Sequence, residues 1–235
     1  MMFFAGAMLA RLIVSGGFGW FVQQHMKWPL ILASAALIVF GLVEVIAAWR
    51  EESEAPESTS RSRGPLVGWL LALPLLVLVA VSPTALGAAA ADRVDAYTPT
   101  EAENPFEPIE ESGEPVEMRV LDFLDRAMWD EERSLEGVTV RLEGLVVNDP
   151  DHTEGFTLTR FLVSCCAADG IPLQVDLYDV GRTFENDTWV IADVIWIEPD
   201  VPYTDLPAGE RRIAAEVVTL TEVPDARKDP YESPY

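Results

Sequence analysis

The two cysteines of the chain, Cys165 and Cys166, are adjacent in the sequence. Two thiols without a spacer cannot join distant parts of a fold, and an ordinary structural disulfide needs Cα atoms about 4.4–6.8 Å apart across a closed loop. Three interpretations remain. The pair is a vicinal dithiol that binds a metal or takes part in redox chemistry, a strained ring disulfide that is easily reduced, or two small passive side chains.

A reduced pair offers two thiolates, which are soft ligands for Zn²⁺, Cu(I) or a trivalent metalloid. Zinc normally takes four N, S or O ligands, so two sulfurs do not complete a site. Asp169 follows Cys166 by three residues, and His152 precedes the pair in an acidic loop. We therefore predict a metal cluster of Cys165, Cys166, Asp169 and His152, with His152 brought close by a hairpin of the first two long strands. The spacing matches no standard zinc motif, so zinc or another thiophilic metal is a candidate and no cofactor is assigned.

Two other interpretations of the dithiol stay open. Neighbouring residues on a strand face opposite ways, so one cysteine could point into a core and the other outward as passive thiols. A thiol–disulfide redox protein or sensor is the second alternative. It lacks the Cys-x-x-Cys spacing of thioredoxin-like proteins, and no nearby Lys or His lowers a thiol pKa. The sequence offers no catalytic residue, and we predict that the protein is not an enzyme.

The uneven distribution of charge along the chain indicates which regions lie on either side of the boundary between membrane and soluble parts. Residues 1–91 contain five basic and five acidic residues, whereas residues 92–235 contain 11 basic and 34 acidic residues, a difference of −23 that is the whole net charge. The chain therefore joins a neutral, apolar N-terminal region to a strongly acidic soluble region.

The N-terminal region, residues 1–91, contains three apolar runs at about 2–22, 29–49 and 65–86. A helix rises about 1.5 Å per residue and the hydrocarbon core is about 30 Å thick, so each run is long enough to span. Glycines and Arg11 make the first run a weaker candidate for a membrane span. The linker 50–64 has three arginines and no apolar periodicity, which predicts a disordered cytoplasmic segment. The N-terminus is then cytoplasmic, and the third span places residues 92–235 outside the cell.

Arg11 and Glu44 are charged residues inside the first two predicted spans. Because such charges are costly in hydrocarbon, each suggests a functional or structural contact. In an antiparallel hairpin of these spans the two residues would differ in depth by about 6 Å. We predict a structural ion pair between them, or a snorkelling Glu44. The alternative is a polar contact with a membrane partner or a translocated solute.

The outer region predicts a small mainly-β domain behind a tether. Residues 92–115 are acidic and rich in proline, as in an extended tether. The domain, residues 116–222, begins with a helix over Val116–Asp130. Five strands follow, at Val138–Val147, Phe156–Cys165, Ile171–Tyr178, Trp189–Ile197 and Arg211–Leu220. One helix and five short strands fit an OB-like five-stranded barrel, with a sandwich and peripheral helix as the alternative. Residues 223–235 are predicted to be a surface tail.

Three groups of residues together resemble the YcgQ-like family of uncharacterised bacterial membrane proteins, proposed subunits of a two-component permease. They are Phe21 to Met26 before Pro29-Leu30, then Pro74-Leu75-Leu76 leading to Ala85-Leu86-Gly87, and finally Thr159-Arg160-Phe161 with Ser164-Cys165-Cys166-Ala167-Ala168-Asp169, Pro172 and Trp189-Val190. The Cys-Cys-Ala-Ala-Asp sequence is the most specific. The family tends to have His-Pro-Arg where this chain has Gln23-Gln24-His25, so no role is transferred to His25.

The resemblance implies a short transmembrane region and an extracytoplasmic domain beside a larger polytopic permease. We therefore expect a non-enzymatic permease subunit in the cell membrane whose outer domain binds a metal or metalloid solute. A nucleic-acid function is not expected of an OB-like domain here, because such binding needs a basic groove against phosphate and this domain is strongly acidic.

Overall fold

The structure is a computed structural model that describes residues 2–54, 85–99, 106–109, 113–150, 152–207, 211–223 and 230–234. The chain divides into two compact units, Met1–Ala85 and Leu86–Tyr235. The first unit is helical and the second is mainly β. Helix α3, Ala88–Ala91, belongs to the second unit, although the sequence pattern grouped it with the transmembrane region.

The helical unit contains α1, Met2–Ser15, and α2, Lys27–Glu54, joined by 3₁₀ helices at Gly17–Trp20 and Gln24–Met26. Among the described residues one segment, Gln24–Ala47, is long and apolar enough to cross a membrane by length and composition. At 14 residues, α1 is shorter than the predicted span 2–22 because Gly16, at φ +77°, ends the helix. The helix α2 continues into the segment predicted as a disordered linker. The predicted third span lies outside the described residues except for residues 85 and 86.

The two helices pack closely at positions without side chains. A Cβ on Gly6 would lie 2.8 Å from Ile38 Cγ1, and a Cβ on Gly41 would collide with the backbone of Phe3. The Ser34 hydroxyl donates a hydrogen bond to the Gly6 carbonyl oxygen at 2.9 Å. Small residues that allow close backbone approach, with a hydroxyl bonded across the interface, are typical of helix pairs in membranes.

In its described residues the β unit contains seven strands and a helix longer than α3. The helix is α4, Val120–Trp129, and the strands are β1, Val116–Glu117; β2, Thr139–Val147; β3, Gly155–Leu162; β4, Ile171–Tyr178; β5, Trp189–Ile197; β6, Ile213–Glu222; and β7, Tyr231–Glu232. The five long strands confirm the mainly-β prediction to within a few residues. The predicted helix starts four residues too early, because the chain at Val116 pairs with β2 instead. The predicted surface tail contains a buried strand, β7.

The strands form one mixed sheet in the order β1-β2-β5-β6-β4-β3-β7, with an additional pairing of β2 with β3. Most neighbours are antiparallel, whereas β4 and β6 are parallel, as are β1 with β2 and β3 with β7. The strand β2 changes partner along its length. It pairs with β5 from Thr139 to Leu145 and with β3 from Leu145 to Val147.

The change of partner in β2 depends on Gly144. A Cβ at this position would lie 2.7 Å from the Leu158 side chain and 2.8 Å from the Thr159 carbonyl oxygen of β3. A glycine inside a strand often marks such a close backbone approach. Gly144 thus lies where β2 changes from its pairing with β5 to its pairing with β3.

The core lies between the sheet and α4. Val120, Phe123, Leu124 and Ala127 recur at helical spacing and are buried, because this apolar stripe packs against the sheet. The predicted tether docks on this unit where it is described: the Tyr97 N–H donates to the Pro172 carbonyl oxygen at 2.8 Å, and the Tyr97 hydroxyl donates to Asp125 at 3.2 Å.

Candidate functional site

The two cysteines lie in the connection between β3 and β4, which we call the dithiol turn, Val163–Gly170. The hairpin register pairs Leu162 with Ile171, so the turn is held at one end of two fully paired strands. Cys165 is exposed and Cys166 is half-buried, and both are free thiols. A 3₁₀ helix, Ala167–Asp169, closes the turn. The strand β3 ends before the cysteines, so they do not alternate across a sheet as the passive interpretation assumed.

Asp169 organises the dithiol turn. Its carboxylate oxygens accept hydrogen bonds from the backbone N–H groups of Ser164 at 2.9 Å, Cys165 at 2.8 Å and Cys166 at 3.3 Å. In return the Asp169 N–H donates to the Cys166 carbonyl oxygen at 2.9 Å. One carboxylate therefore fixes three consecutive amides and directs both cysteine side chains.

The same carboxylate controls the protonation of Cys165. The pKa of Cys165 rises from an ordinary 9.0 to about 11, first because its thiol donates a hydrogen bond to Asp169 and next because of Cys166. A hydrogen bond to a negative acceptor stabilises the protonated thiol. Desolvation acts to raise the pKa of Asp169, but the bonds from the Cys165 thiol and the three amides outweigh it, and the pKa of Asp169 is lowered.

The Cys165 and Cys166 sulfurs and one Asp169 oxygen lie within 4.8 Å of one another. A carboxylate has about four acceptor positions, and the three amides and the thiol use them. A metal ion held by both sulfurs would displace the Cys165 thiol proton. The Asp169 lone pair that accepts this proton would then be available to the ion. The residues present fit a soft ion held by two thiolates, with Asp169 as positioning residue and third ligand.

His152 does not belong to this cluster. It is buried, its Nε2 lies 3.0 Å from the Leu177 carbonyl oxygen, and its ring packs edge-on against Tyr178. The register places Tyr178 opposite Gly155, seven residue pairs from the Leu162–Ile171 pair that carries the dithiol turn. At about 3.3 Å per residue the two ends are about 23 Å apart. The prediction of His152 as a fourth ligand is therefore wrong. The loop before β3 and the turn after it lie at opposite ends of that strand.

Arg11 and Glu44 are both exposed, and the helix register separates them. The register brings Gly6 beside Ser34 and Ile38, and Gly41 beside Phe3. Arg11 lies beyond Gly6 toward the connection of the helices, whereas Glu44 lies beyond Gly41 in the opposite direction. The described residues therefore contain no Arg11–Glu44 ion pair. The prediction failed because α1 ends at Ser15 rather than residue 22, which shifts the register.

A second polar cluster was missed because the C-terminal residues were assigned to a surface tail. Glu232 is buried, and its carboxylate accepts the N–H groups of Val120 at 2.9 Å and Leu121 at 3.0 Å at the start of α4. A carboxylate at a helix N-terminus satisfies free amide donors and the helix dipole. Arg160 Nε lies 4.0 Å from the same carboxylate. Desolvation raises the pKa of Glu232 above its usual value, despite these hydrogen bonds.

A third cluster joins the parallel strands β4 and β6. Arg212 donates to both oxygens of Asp176, at 2.6 and 2.7 Å, and to Asp149 at 3.0 Å. The Thr157 hydroxyl also donates to Asp176, at 2.8 Å. These residues hold strands together rather than forming an open site, since Asp176 is buried with its partners in place.

A cavity of about 710 Å³ lies elsewhere on the β unit. It is lined by residues of β1, β2, β5 and β6 and by the loops beside them, among them Glu114, Glu136 and Asp193. No residue of the dithiol turn lines it. The Asp193 carboxylate is already paired with Arg141 and with the Thr219 hydroxyl.

Comparison of the chain with protein-family models, with curated proteins and with solved structures finds no match.

Proposed function

We propose that the chain is a non-enzymatic, membrane-attached subunit of a two-component permease, whose β unit binds a soft metal or metalloid solute through Cys165 and Cys166. The observation that carries the proposal is the convergence of two free sulfurs and the Asp169 carboxylate within 4.8 Å on an exposed turn. The permease context comes from the family resemblance of the sequence.

The membrane attachment is supported by the composition and ends of α2. Trp28 and Trp49 are 73% and 72% exposed and are separated by about 31 Å along the helix axis, which matches the hydrocarbon thickness. Tryptophans are enriched at both membrane interfaces. In this proposal the protein is multi-pass, with spans near 2–22, 29–49 and 65–86, a cytoplasmic N-terminus and linker, and an extracytoplasmic β unit.

The strand pairings support a closed barrel of OB type. The pairings run β2–β5–β6–β4–β3 and return to β2, so five strands form a ring with one parallel pair. A closed ring leaves few open edges and holds the ends of its hairpins in fixed positions. The barrel would then hold the dithiol turn in a fixed position at one of its ends.

The electrostatics of the turn disfavour redox exchange at neutral pH. The attacking species in disulfide exchange is the thiolate, and a pKa of about 11 keeps Cys165 protonated at neutral pH. A soft ion can displace that proton, because metal binding and deprotonation are coupled. The Asp169 carboxylate then faces a cation in place of a thiol hydrogen.

Metal binding is tested with the full chain in detergent, reduced and titrated with Cd²⁺ while thiolate-to-metal charge-transfer absorption is followed. The wild type is expected to bind one ion, and Cys165→Ser/Cys166→Ser is expected to show no such absorption. His152→Gln is the control and should bind normally, since His152 lies at the other end of the hairpin. Equal absorption from the double serine variant would refute the ligand role.

The orientation is tested on intact cells with a membrane-impermeant maleimide. After reduction, Cys165 should react from outside, and the double serine variant should remain unlabelled. Labelling that occurs only after lysis would place the β unit in the cytoplasm and contradict the proposed topology.

A further inference from the structure

The two-residue strand β7, Tyr231–Glu232, contacts the first residue of the dithiol turn directly. It pairs in parallel with the last two residues of β3. Immediately after this pairing, the Val163 N–H donates to the Glu232 carbonyl oxygen at 2.9 Å. The next three amides along the turn are the ones that donate to Asp169. The strand β7 therefore fixes the backbone just before the hydrogen bonds that direct the two cysteines.

The same strand holds the last residue of the turn through Leu86. The Leu86 N–H donates to the Tyr231 hydroxyl at 3.0 Å. A Cβ on Gly170 would lie 2.5 Å from Leu86 Cδ1, so the Leu86 side chain occupies the space that the glycine leaves open. Both ends of the dithiol turn, Val163 and Gly170, are thus in contact either with β7 or with a residue that is hydrogen-bonded to it.

The strand β7 is itself anchored to the start of α4. The Glu232 carboxylate accepts the first two N–H groups of that helix, and the Arg119 guanidinium donates to the Ser233 carbonyl oxygen at 3.0 Å. Tyr231 and Glu232 are only 4% and 7% exposed. Because a strand of two residues forms few ladder hydrogen bonds, these side-chain contacts are needed to keep β7 in place on β3.

We infer that β7 is the positioning element of the dithiol site, and that its docking is thermodynamically linked to the binding of a soft ion by Cys165 and Cys166. This inference rests on the proposed function, because it concerns the same two thiols. Groups that orient metal ligands without touching the metal typically change its affinity by about 10–100-fold when they are altered. When β7 is undocked, its bonds to Val163 and Leu86 are lost. The ion must then order the turn itself, and its affinity falls.

Linkage of this kind is reciprocal. If docked β7 strengthens ion binding by a given factor, the bound ion favours docked over undocked β7 by the same factor. Segments near a chain terminus open more readily than the core of a sheet, so the opening of β7 can be followed in the native protein. The bound ion is therefore expected to protect residues 230–234 without contacting them.

The first measurement is Cd²⁺ affinity, made with the full reduced chain in detergent. Glu232→Ala removes the anchor of β7 on α4 and leaves both sulfurs and Asp169 in place. We expect this variant to bind one Cd²⁺ with an affinity about 10-fold lower than that of the wild type. Glu222→Ala is the matched control, because Glu222 is exposed at the end of β6, and its Cd²⁺ affinity should equal that of the wild type.

The second measurement is hydrogen–deuterium exchange of the wild type, which tests the reciprocal effect. Saturating Cd²⁺ should slow exchange in residues 230–234 by about 10-fold, the factor expected for the affinity. A gain in global stability would also slow the most protected amides of β5, so the slowing is measured relative to β5. Cys165→Ser/Cys166→Ser with the same Cd²⁺ concentration supplies the background and should show no slowing.

Unchanged Cd²⁺ affinity in Glu232→Ala would overturn the inference, as would exchange in residues 230–234 that Cd²⁺ does not slow relative to β5. Tyr231→Phe is a milder second variant in case Glu232→Ala does not fold. It removes only the hydroxyl that accepts the Leu86 N–H, and the Cd²⁺ affinity should fall about 3-fold; wild-type affinity would contradict the role of that contact. Failure of the proposed function is distinguishable, because the wild type itself would then show no Cd²⁺ absorption.

Discussion

Replacing Asp169 by asparagine tests the central electrostatic contact of the dithiol turn. The substitution removes the negative charge that accepts the Cys165 thiol proton and replaces one acceptor oxygen by a donor. Asp169 is the largest cause of the rise of the Cys165 pKa from 9.0 to about 11. We expect the Cys165 pKa in Asp169→Asn to return toward its ordinary value, with a shift of up to about two units.

The effect on reactivity is smaller than the effect on protonation. A shift of two units changes the thiolate fraction at neutral pH by about 100-fold. The intrinsic nucleophilicity of a thiolate falls with its pKa, with a Brønsted coefficient of about 0.4–0.5, which removes about one of the two powers of ten. The alkylation rate at neutral pH should therefore rise about 10-fold, while the midpoint of the pH–rate profile moves by the full shift.

The assay is alkylation by a neutral iodoacetamide between pH 6 and 12, in the Cys166→Ser background so that one thiol reacts. Cys166 is the second cause of the raised pKa, so this background should have a midpoint slightly below 11. Asp179→Asn is the matched control, because Asp179 is exposed at the far end of β4 and its positive φ is one that asparagine tolerates.

Three results would refute the reasoning. A midpoint near 9 in Cys166→Ser with Asp169 intact would mean that the Cys165 thiol does not donate to the carboxylate. An unchanged midpoint in Asp169→Asn would mean that another group controls the thiol. A shift of equal size in Asp179→Asn would indicate that overall negative charge, not the local hydrogen bond, raises the pKa.

Three further outcomes follow from contacts in the β unit, each measured by urea denaturation of the full chain in detergent. Arg212→Ala leaves the buried Asp176 carboxylate without its cation and should lower the free energy of unfolding by about 1–3 kcal/mol. Glu198→Ala breaks the exposed ion pair between Glu198 and Arg133 and should lower it by less than about 1 kcal/mol. Equal losses would contradict the burial argument. Because folding raises the pKa of Glu232, the contribution of this residue to the free energy of unfolding is present at low pH and is lost as pH rises through the folded-state pKa. Glu232→Gln removes that contribution, so the free energy of unfolding should depend less on pH in the variant. Parallel pH profiles for the two proteins would contradict this expectation. Gly144→Ala should destabilise by about 1–3 kcal/mol through overpacking against β3, and a neutral result would indicate that β2 and β3 separate at little cost.

The local part of the candidate site could be predicted from the sequence. Asp169 lies three residues after Cys166, and one 3₁₀ turn brings residues at that spacing together, so the cluster of two sulfurs and a carboxylate needs no distant contact. The five long strands were also predictable, because alternation of apolar residues over Ile171–Tyr178 and its neighbours reports burial on one face. The membrane-length helix followed in the same way from an apolar run that only Glu44 interrupts.

The contacts between distant segments could not be predicted from local patterns. His152 was placed with the cysteines because both flank β3, yet antiparallel pairing puts the two loops at opposite ends of that strand. The C-terminal residues were assigned to a tail because two residues of β7 carry no periodicity, although Glu232 is buried at the start of α4. The register of α1 against α2 depended on where a single glycine ends the first helix.

The sequence by itself determined that this protein joins an apolar N-terminal region to an acidic mainly-β domain with a vicinal dithiol. These features can be read from composition and from the spacing of residues that are near one another in the chain. Only the tertiary structure decided which groups surround that dithiol. It brings Leu86 to the turn, places His152 about 23 Å away along β3, and returns Tyr231 from the C-terminal part of the chain to Leu86. The reason is physical: strand direction and register are fixed by packing among segments far apart in the chain, and no local pattern contains that information.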